Sequence, residues 1–266
     1  MVEACLRAGA HYLDITAEIR VIEALARRDR EARARGVMIM PGTGFDVVPS
    51  DCLVAHVARR MPGARRLAIG LTGLAFVTRA SAKTLVETAN FGVVRRDGAL
   101  VRVPLGSLAR SFDFGGGPRE GLNVSWGDVA TAWYTTGIPD VTVYVEATPL
   151  MRSVIAASRW FGWTVASGPW QAWLKAHADL LPDGPTAEER AARRMVVVAE
   201  AEDGRGGRAV ARITTPEAYT FTATAAAAIV RRVLDGDVEP GFQTPARVYG
   251  ADFVLGFPDV VREDLA

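Results

Sequence analysis

Two cysteines, Cys5 and Cys52, are all that the 266 residues contain; they lie far apart and form no C-x-x-C. That excludes a disulfide framework and a zinc knuckle, and it fits a reducing, cytoplasmic setting. Charge of one sign is lacking too. The 31 basic and 30 acidic residues leave a formal charge of +1, so the electrostatics give no reason to expect nucleic acid. The arginine tracts at 27–35 and 190–194 are interleaved with acids at helical spacing and read as solvated helix faces. No uninterrupted apolar run reaches the roughly 20 residues that span a bilayer, and Glu3 with no apolar stretch behind it is unlike a secretory signal. No G-x-S-x-G surrounds any serine, and His11, His56 and His177 lack H-E-x-x-H or paired-ligand spacing, so neither a serine-hydrolase elbow nor a metal is expected.

What the chain does have is an organising stretch from Val37 to Asp51. Val37-Met38-Ile39-Met40 is an uncharged run of strand length that ends in the turn Pro41-Gly42-Thr43-Gly44. Pro49-Ser50-Asp51 then opens an amphipathic helix with Leu53, Val54, Val57 and Met61 facing inward. In open α/β sheets such a strand-to-helix junction lies at the carboxyl end of the strands, where ligands bind. A small-molecule site is therefore expected to touch residues 42–51. Gly42 and Gly44 supply two positions of a G-x-G-x-x-G fingerprint, but Val47 occupies the third. Two readings stay open for them: a turn that needs positive φ or close backbone approach, and direct phosphate contact.

The phrase Gly44-Phe45-Asp46, two hydrophobic residues, Pro49-Ser50-Asp51 resembles one found in the saccharopine dehydrogenase-like family of NAD(P)-linked oxidoreductases. Val2-Glu3-Ala4-Cys5 with Gly9-Ala10-His11-Tyr12-Leu13-Asp14, and Gly241-Phe242-Gln243-Thr244-Pro245-Ala246, agree in order, so the resemblance runs over nearly the whole chain. It implies NAD or NADP as cofactor, with Gly44, Phe45 and Asp46 beside its nicotinamide end; Gly42, Gly44 and Phe45 are the cofactor-binding candidates. It also implies a strand and glycine-rich phosphate loop before the first helix. Here Met1 is followed at once by a helical pattern, so the expectation is a chain that enters the fold midway, with weak or absent NAD(P) affinity by itself.

The expected fold is α/β plus α+β. Residues 1–62 read as the C-terminal remnant of a Rossmann-type parallel sheet, from a strand at His11–Ile15, a helix capped by Thr16 and stopped by Gly36, and the organising strand and helix. Residues 63–214 read as a substrate and dimerisation domain with a mostly antiparallel mixed sheet. Its strands are expected near 67–72, 100–103, 122–126, 141–147, 195–201 and 209–213, with a helix at 80–89 and a hairpin turn at Arg96-Asp97-Gly98. Thr186 and Glu189 form a capping box. Residues 215–266 are expected to pack back on the first part through a helix with Thr215 as N-cap and Pro216 at N1. Trp160 and Trp163, then Trp170 and Trp173, repeat at i,i+3 within 150–175, a pattern read first as core or lid packing, then as a homodimer contact, and least as membrane-surface contact.

Hydride transfer needs a positioned nicotinamide and often one acid or base for the accompanying proton. Asp46 is the catalytic candidate, with an Asx-turn that orders the loop as its equal alternative. Tyr12, Asp14, Ser50, Asp51 and Lys83 are candidates for the side facing a small-molecule substrate. Ser50 and Asp51 also suit plain helix starters, and Lys83 a solvated cation. The expected substrate is small or lipid-like, and the alternative to an oxidoreductase is a non-catalytic fragment or a binding or dimerisation module, one that could associate with a membrane surface through the tryptophan segment.

Overall fold

The computed structural model describes residues 1–73, 91–149, 151–153, 155–156 and 184–266. The helix expected at 80–89 with Lys83, and the tryptophan pairs at 160, 163, 170 and 173, lie outside the described residues. Among the described residues the architecture is mixed α/β, with a small parallel sheet and a larger, mostly antiparallel one.

Helix α1 (Val2–Ala8) stops at Gly9, whose φ of 70° closes it in the left-handed conformation. Strand β1 (Tyr12–Leu13) follows, then α2 (Ile19–Ala26), α3 (Asp29–Ala34), β2 (Met38–Met40) and α4 (Val48–Arg60). Thr16 does not cap α2. The residue before the helix is Glu18, with no side-chain cap bond, and its amide donates to Thr16 Oγ1 at 3.3 Å. The single helix read over this stretch is two, because Asp29 begins a new one: its carboxylate accepts from Arg33 Nε at 2.9 Å and from Phe242 N at 2.8 Å, which ties the start of α3 to a distant strand.

The larger sheet is built from β3 (Arg66–Thr72), β4 (Gly92–Arg96), β5 (Ala99–Val103), β6 (Ala109–Asp113), β7 (Pro118–Val124), β8 (Asp140–Glu146), β9 (Arg194–Glu202), β10 (Arg208–Pro216) and β12 (Val261–Asp264). Its order is β12-β10-β9-β3-β8-β4-β5, with β7 also on β8 and β6 on β7; β3 and β8 run parallel and the other pairs antiparallel. Helix α5 (Asp128–Thr136) precedes β8, and α6 (Ala187–Ala192) opens with the Thr186–Glu189 capping box. Helix α7 (Ala218–Leu234) corrects the expected start. Pro216 ends β10 opposite Arg194, and the cap is Glu217, whose carboxylate accepts from Tyr219 N and Thr220 N at 2.9 and 3.2 Å. After it come β11 (Gly241–Phe242) and α8 (Pro245–Tyr249).

In the small sheet β2 is central, parallel to β1 on one side and β11 on the other. Its uncharged sequence has a direct cause: both faces are buried. Met38 and Met40 join the main core, where the α4 residues Leu53, Val54 and Val57 meet Ile69, Val143, Val197 and Ile213 of the large sheet. Val37 and Ile39 face the other way, onto Leu6, Ile22, Leu25 and Phe242. Each such side chain contributes about 1.5–3 kcal/mol on burial. Helix α4 thereby fixes the turn before it against both sheets.

Candidate functional site

Because β1, β2 and β11 are parallel, their carboxyl ends deliver Asp14, the 41–46 turn and Gln243-Thr244 to one edge. The three separated sequence phrases meet there. Asp14 is occupied on every side. Its Oδ2 accepts from Tyr12 Oη at 2.6 Å, its Oδ1 from Thr16 N at 2.9 Å and Gly42 N at 3.3 Å, and its backbone carbonyl from both Thr43 N and Thr43 Oγ1 at 2.8 and 2.9 Å. Desolvation, then the bond to Asp14, pushes the Tyr12 hydroxyl pKa up. Tyr12 and Asp14 thus lock β1 to the turn.

The glycines answer to backbone geometry. Gly42 has φ 69°, and a Cβ there would lie 2.5 Å from Val47 Cγ2. A Cβ on Gly44 would lie 2.8 Å from Thr222 Cγ2 of α7. The amides of Gly42, Thr43 and Phe45 are already donated, to Asp14 Oδ1, Asp14 O and Thr222 Oγ1. Phe45 itself is buried, edge-on to Phe221 with centroids 6.3 Å apart. A pyrophosphate needs several free N–H groups in one concavity. This turn directs three of its own inward, so it does not fit as a phosphate cradle.

Ser50 and Asp51 point into the protein. The Ser50 hydroxyl lies 2.9 Å from Val47 O and 2.6 Å from Asp128 Oδ1. Asp51 accepts from Thr135 Oγ1 and from Ala246 N, the latter at 2.7 Å, and Thr135 Oγ1 lies 2.6 Å from Thr244 Oγ1. The first turn of α8 is therefore capped by an acid on α4. Burial raises the Asp51 pKa to about 6, with the hydrogen bonds from Thr135 and Ala246 opposing it. Asp128 is raised well above the usual carboxylate value, first by desolvation and then by the charges of Asp51 and Asp46; among the described residues its Oδ2 and the nearby Thr131 Oγ1 have no hydrogen-bond partner.

Asp46 differs. It is half-buried, and its carboxylate meets no donor among the described residues, while its carbonyl accepts from Trp126 Nε1 at 3.1 Å. Desolvation alone raises its pKa to about 6. A carboxyl group poised there exchanges protons near neutral pH, as a general acid or base must. Asp128, Trp126, Thr135 and Thr222 carry no motif and were not legible as site residues, and α5 itself was not expected; Gly137, left-handed at φ 71° just past its end, is the local signal that could have marked it. Among the described residues no cluster of His, Cys, Asp and Glu is placed to hold a metal, and no helix is long and apolar enough to cross a membrane.

No family model matches the chain, and neither does any curated protein sequence. Among solved structures, apo saccharopine dehydrogenase (L-Glu forming) from Saccharomyces cerevisiae aligns with a TM-score of 0.59 at 13% identity, covering 100% of this chain and 82% of that one. That likeness establishes a shared dehydrogenase-like fold. The WlbA (WbpB) dehydrogenase from Thermus thermophilus aligns at a TM-score of 0.31 and 12% identity over 91% of this chain and 62% of its own, too loosely to carry an argument.

Proposed function

We propose that this chain carries the substrate side of an NAD(P)-linked oxidoreductase of the saccharopine dehydrogenase-like type, with Asp46 as its proton-exchanging group and weak NAD(P) affinity by itself. The observation that carries the reading is the meeting of Asp14, the 41–46 turn and Thr244 at the carboxyl edge of one parallel sheet, with Asp46 alone among the candidate acids left unpaired. Ligands of open α/β sheets bind at that edge. A bound nicotinamide would donate or accept the hydride. The chain's own part is to hold or release a proton at the Asp46 carboxylate, on a wall stiffened by Asp14 and Asp51. The inward-directed amides of Gly42, Thr43 and Phe45 support weak phosphate binding.

Saturation-transfer NMR with NADP+ suits a weak complex and tests this. The nicotinamide protons are expected to receive more saturation than the adenine protons, and Asp46→Asn to alter their pattern. No transfer, or transfer to the adenine alone, would defeat the reading. Micromolar saturation in an NADPH fluorescence titration would instead overturn the weak-affinity part.

A further inference from the structure

Strand alternation places Arg66 and Ala68 of β3, Thr142 and Tyr144 of β8, and Glu200 and Glu202 of β9 on the face of the large sheet opposite the α4 core. The β6–β7 hairpin folds over part of this face. Phe112 packs against Tyr144 with centroids 5.4 Å apart and against Gly70, where a Cβ would lie 2.7 Å from the Phe112 ring. Beside the hairpin a cavity of about 530 Å³ remains, lined by Arg66, Arg96, Arg110, Asp140, Thr142, Tyr144 and Glu202. That volume is of small-molecule size.

The charges in it are unevenly matched. Glu200 is buried and held by two guanidiniums, Arg110 Nε at 2.6 Å and Arg208 Nη2 at 2.6 Å, and Arg110 also holds Glu202. Glu202 sits directly across the strand pair from Arg66 but gives its carboxylate to Arg110. No acid among the described residues pairs with Arg66. Among the described residues Arg96 donates only to Arg95 O and Thr142 Oγ1, both at 2.9 Å. Asp140 accepts from Asp97 N at 2.8 Å. The cavity thus holds three guanidiniums against two carboxylates, two of the guanidiniums lacking an acid partner among the described residues.

We infer that this cavity is a binding site for a small oxyanion, a phosphate- or carboxylate-bearing molecule held between Arg66 and Arg96. The geometry of a guanidinium matches either group in a bidentate fashion, and the Arg110–Glu200–Arg208 network fixes the wall beside it. The site faces away from the Asp46 turn and does not depend on the function proposed above.

Calorimetric titration of the full chain with inorganic phosphate and with succinate, at constant ionic strength, tests it and separates the two sources of oxyanion. Saturable millimolar or tighter binding of at least one probe is expected, weakened about tenfold or more in Arg66→Ala/Arg96→Ala. Asp140→Asn, which keeps the acceptor for Asp97 N but removes a repelling charge, is expected to tighten binding about threefold to fivefold. If the double variant does not fold, the sign of the Asp140→Asn change decides alone. No saturable binding by the unaltered protein, no loss in a folded arginine variant, or no gain in Asp140→Asn overturns the assignment.

Discussion

The carboxyl edge of the small sheet and the outer face of the large one are both rich in charged groups, yet they dispose of them in opposite ways. At the edge, Asp14 and Asp51 are each bound to backbone amides of other elements, and of the candidate acids Asp46 alone meets no donor among the described residues. On the face, acids and arginines pair with one another, and the surplus is cationic. The first arrangement builds a rigid wall around a single titrating group. The second leaves a fixed charge exposed in a cavity. Polar side chains that serve the backbone are structural; those left over are where chemistry or binding is available.

Five substitutions break or sharpen that contrast. The largest effect is expected at Arg95, which is buried, pairs with Glu23, donates to Val129 O and Gly98 O at 3.0 and 2.7 Å, and lies 5.4 Å from the Trp133 ring. It joins α2 of the small-sheet unit to β4 and α5, and Arg95→Ala, by leaving the half-buried Glu23 carboxylate with the Tyr134 hydroxyl alone and taking the donor from two backbone carbonyls, should lower unfolding free energy in urea by about 3–5 kcal/mol. Asp51→Ala leaves Ala246 N–H and the Thr135 hydroxyl without their acceptor, for a loss of about 2–4 kcal/mol by the same measurement. Gly42→Ala combines positive φ with the 2.5 Å approach of Val47 and should cost about 1–3 kcal/mol.

A pH series isolates Asp46. Folding raises its pKa from 3.8 to about 6, so between those values the native state retains a proton that the unfolded chain has released. Its contribution is fully present below the unfolded value and is lost as pH climbs through the window. Urea midpoints from pH 4 to 7 should show Asp46→Asn gaining about 1–2 kcal/mol over the unaltered protein at the upper end, after allowance for partial exposure. Identical pH profiles would show that Asp46 is not desolvated. At the other extreme Arg66→Ala should change stability by less than about 0.5 kcal/mol, since no acid among the described residues depends on it.

Much of the fold was legible in the sequence. The β2 run, the Gly-x-Gly turn and the Pro49 start of α4 are local signals, and the alternating segments of the large sheet fall within a few residues of their observed strands. What local rules missed has a tertiary cause. Thr215 and Pro216 suit a helix start, but the β9 ladder holds them in a strand and passes the cap to Glu217. Thr16 suits a cap, but Asp14 takes its amide and α2 starts later. At the site, the phrases around Asp14, Asp46 and Thr244 did mark one place. The division of labour within it did not show, because the partners of Asp51 and Phe45 lie 195 and 177 residues along the chain. Asp128 was silent for the same reason: its partner Ser50 is 78 residues away.

Strand β11 closes onto β2 only after nearly all of the intervening chain has been made. During synthesis, Met38–Met40 therefore waits with one unsatisfied hydrogen-bonding border and two apolar sides, the profile of a segment that recruits the wrong neighbour. Contacts of such long sequence separation slow folding, so nascent chains halted before residue 241 should be the ones that chaperones retain and that clump when released.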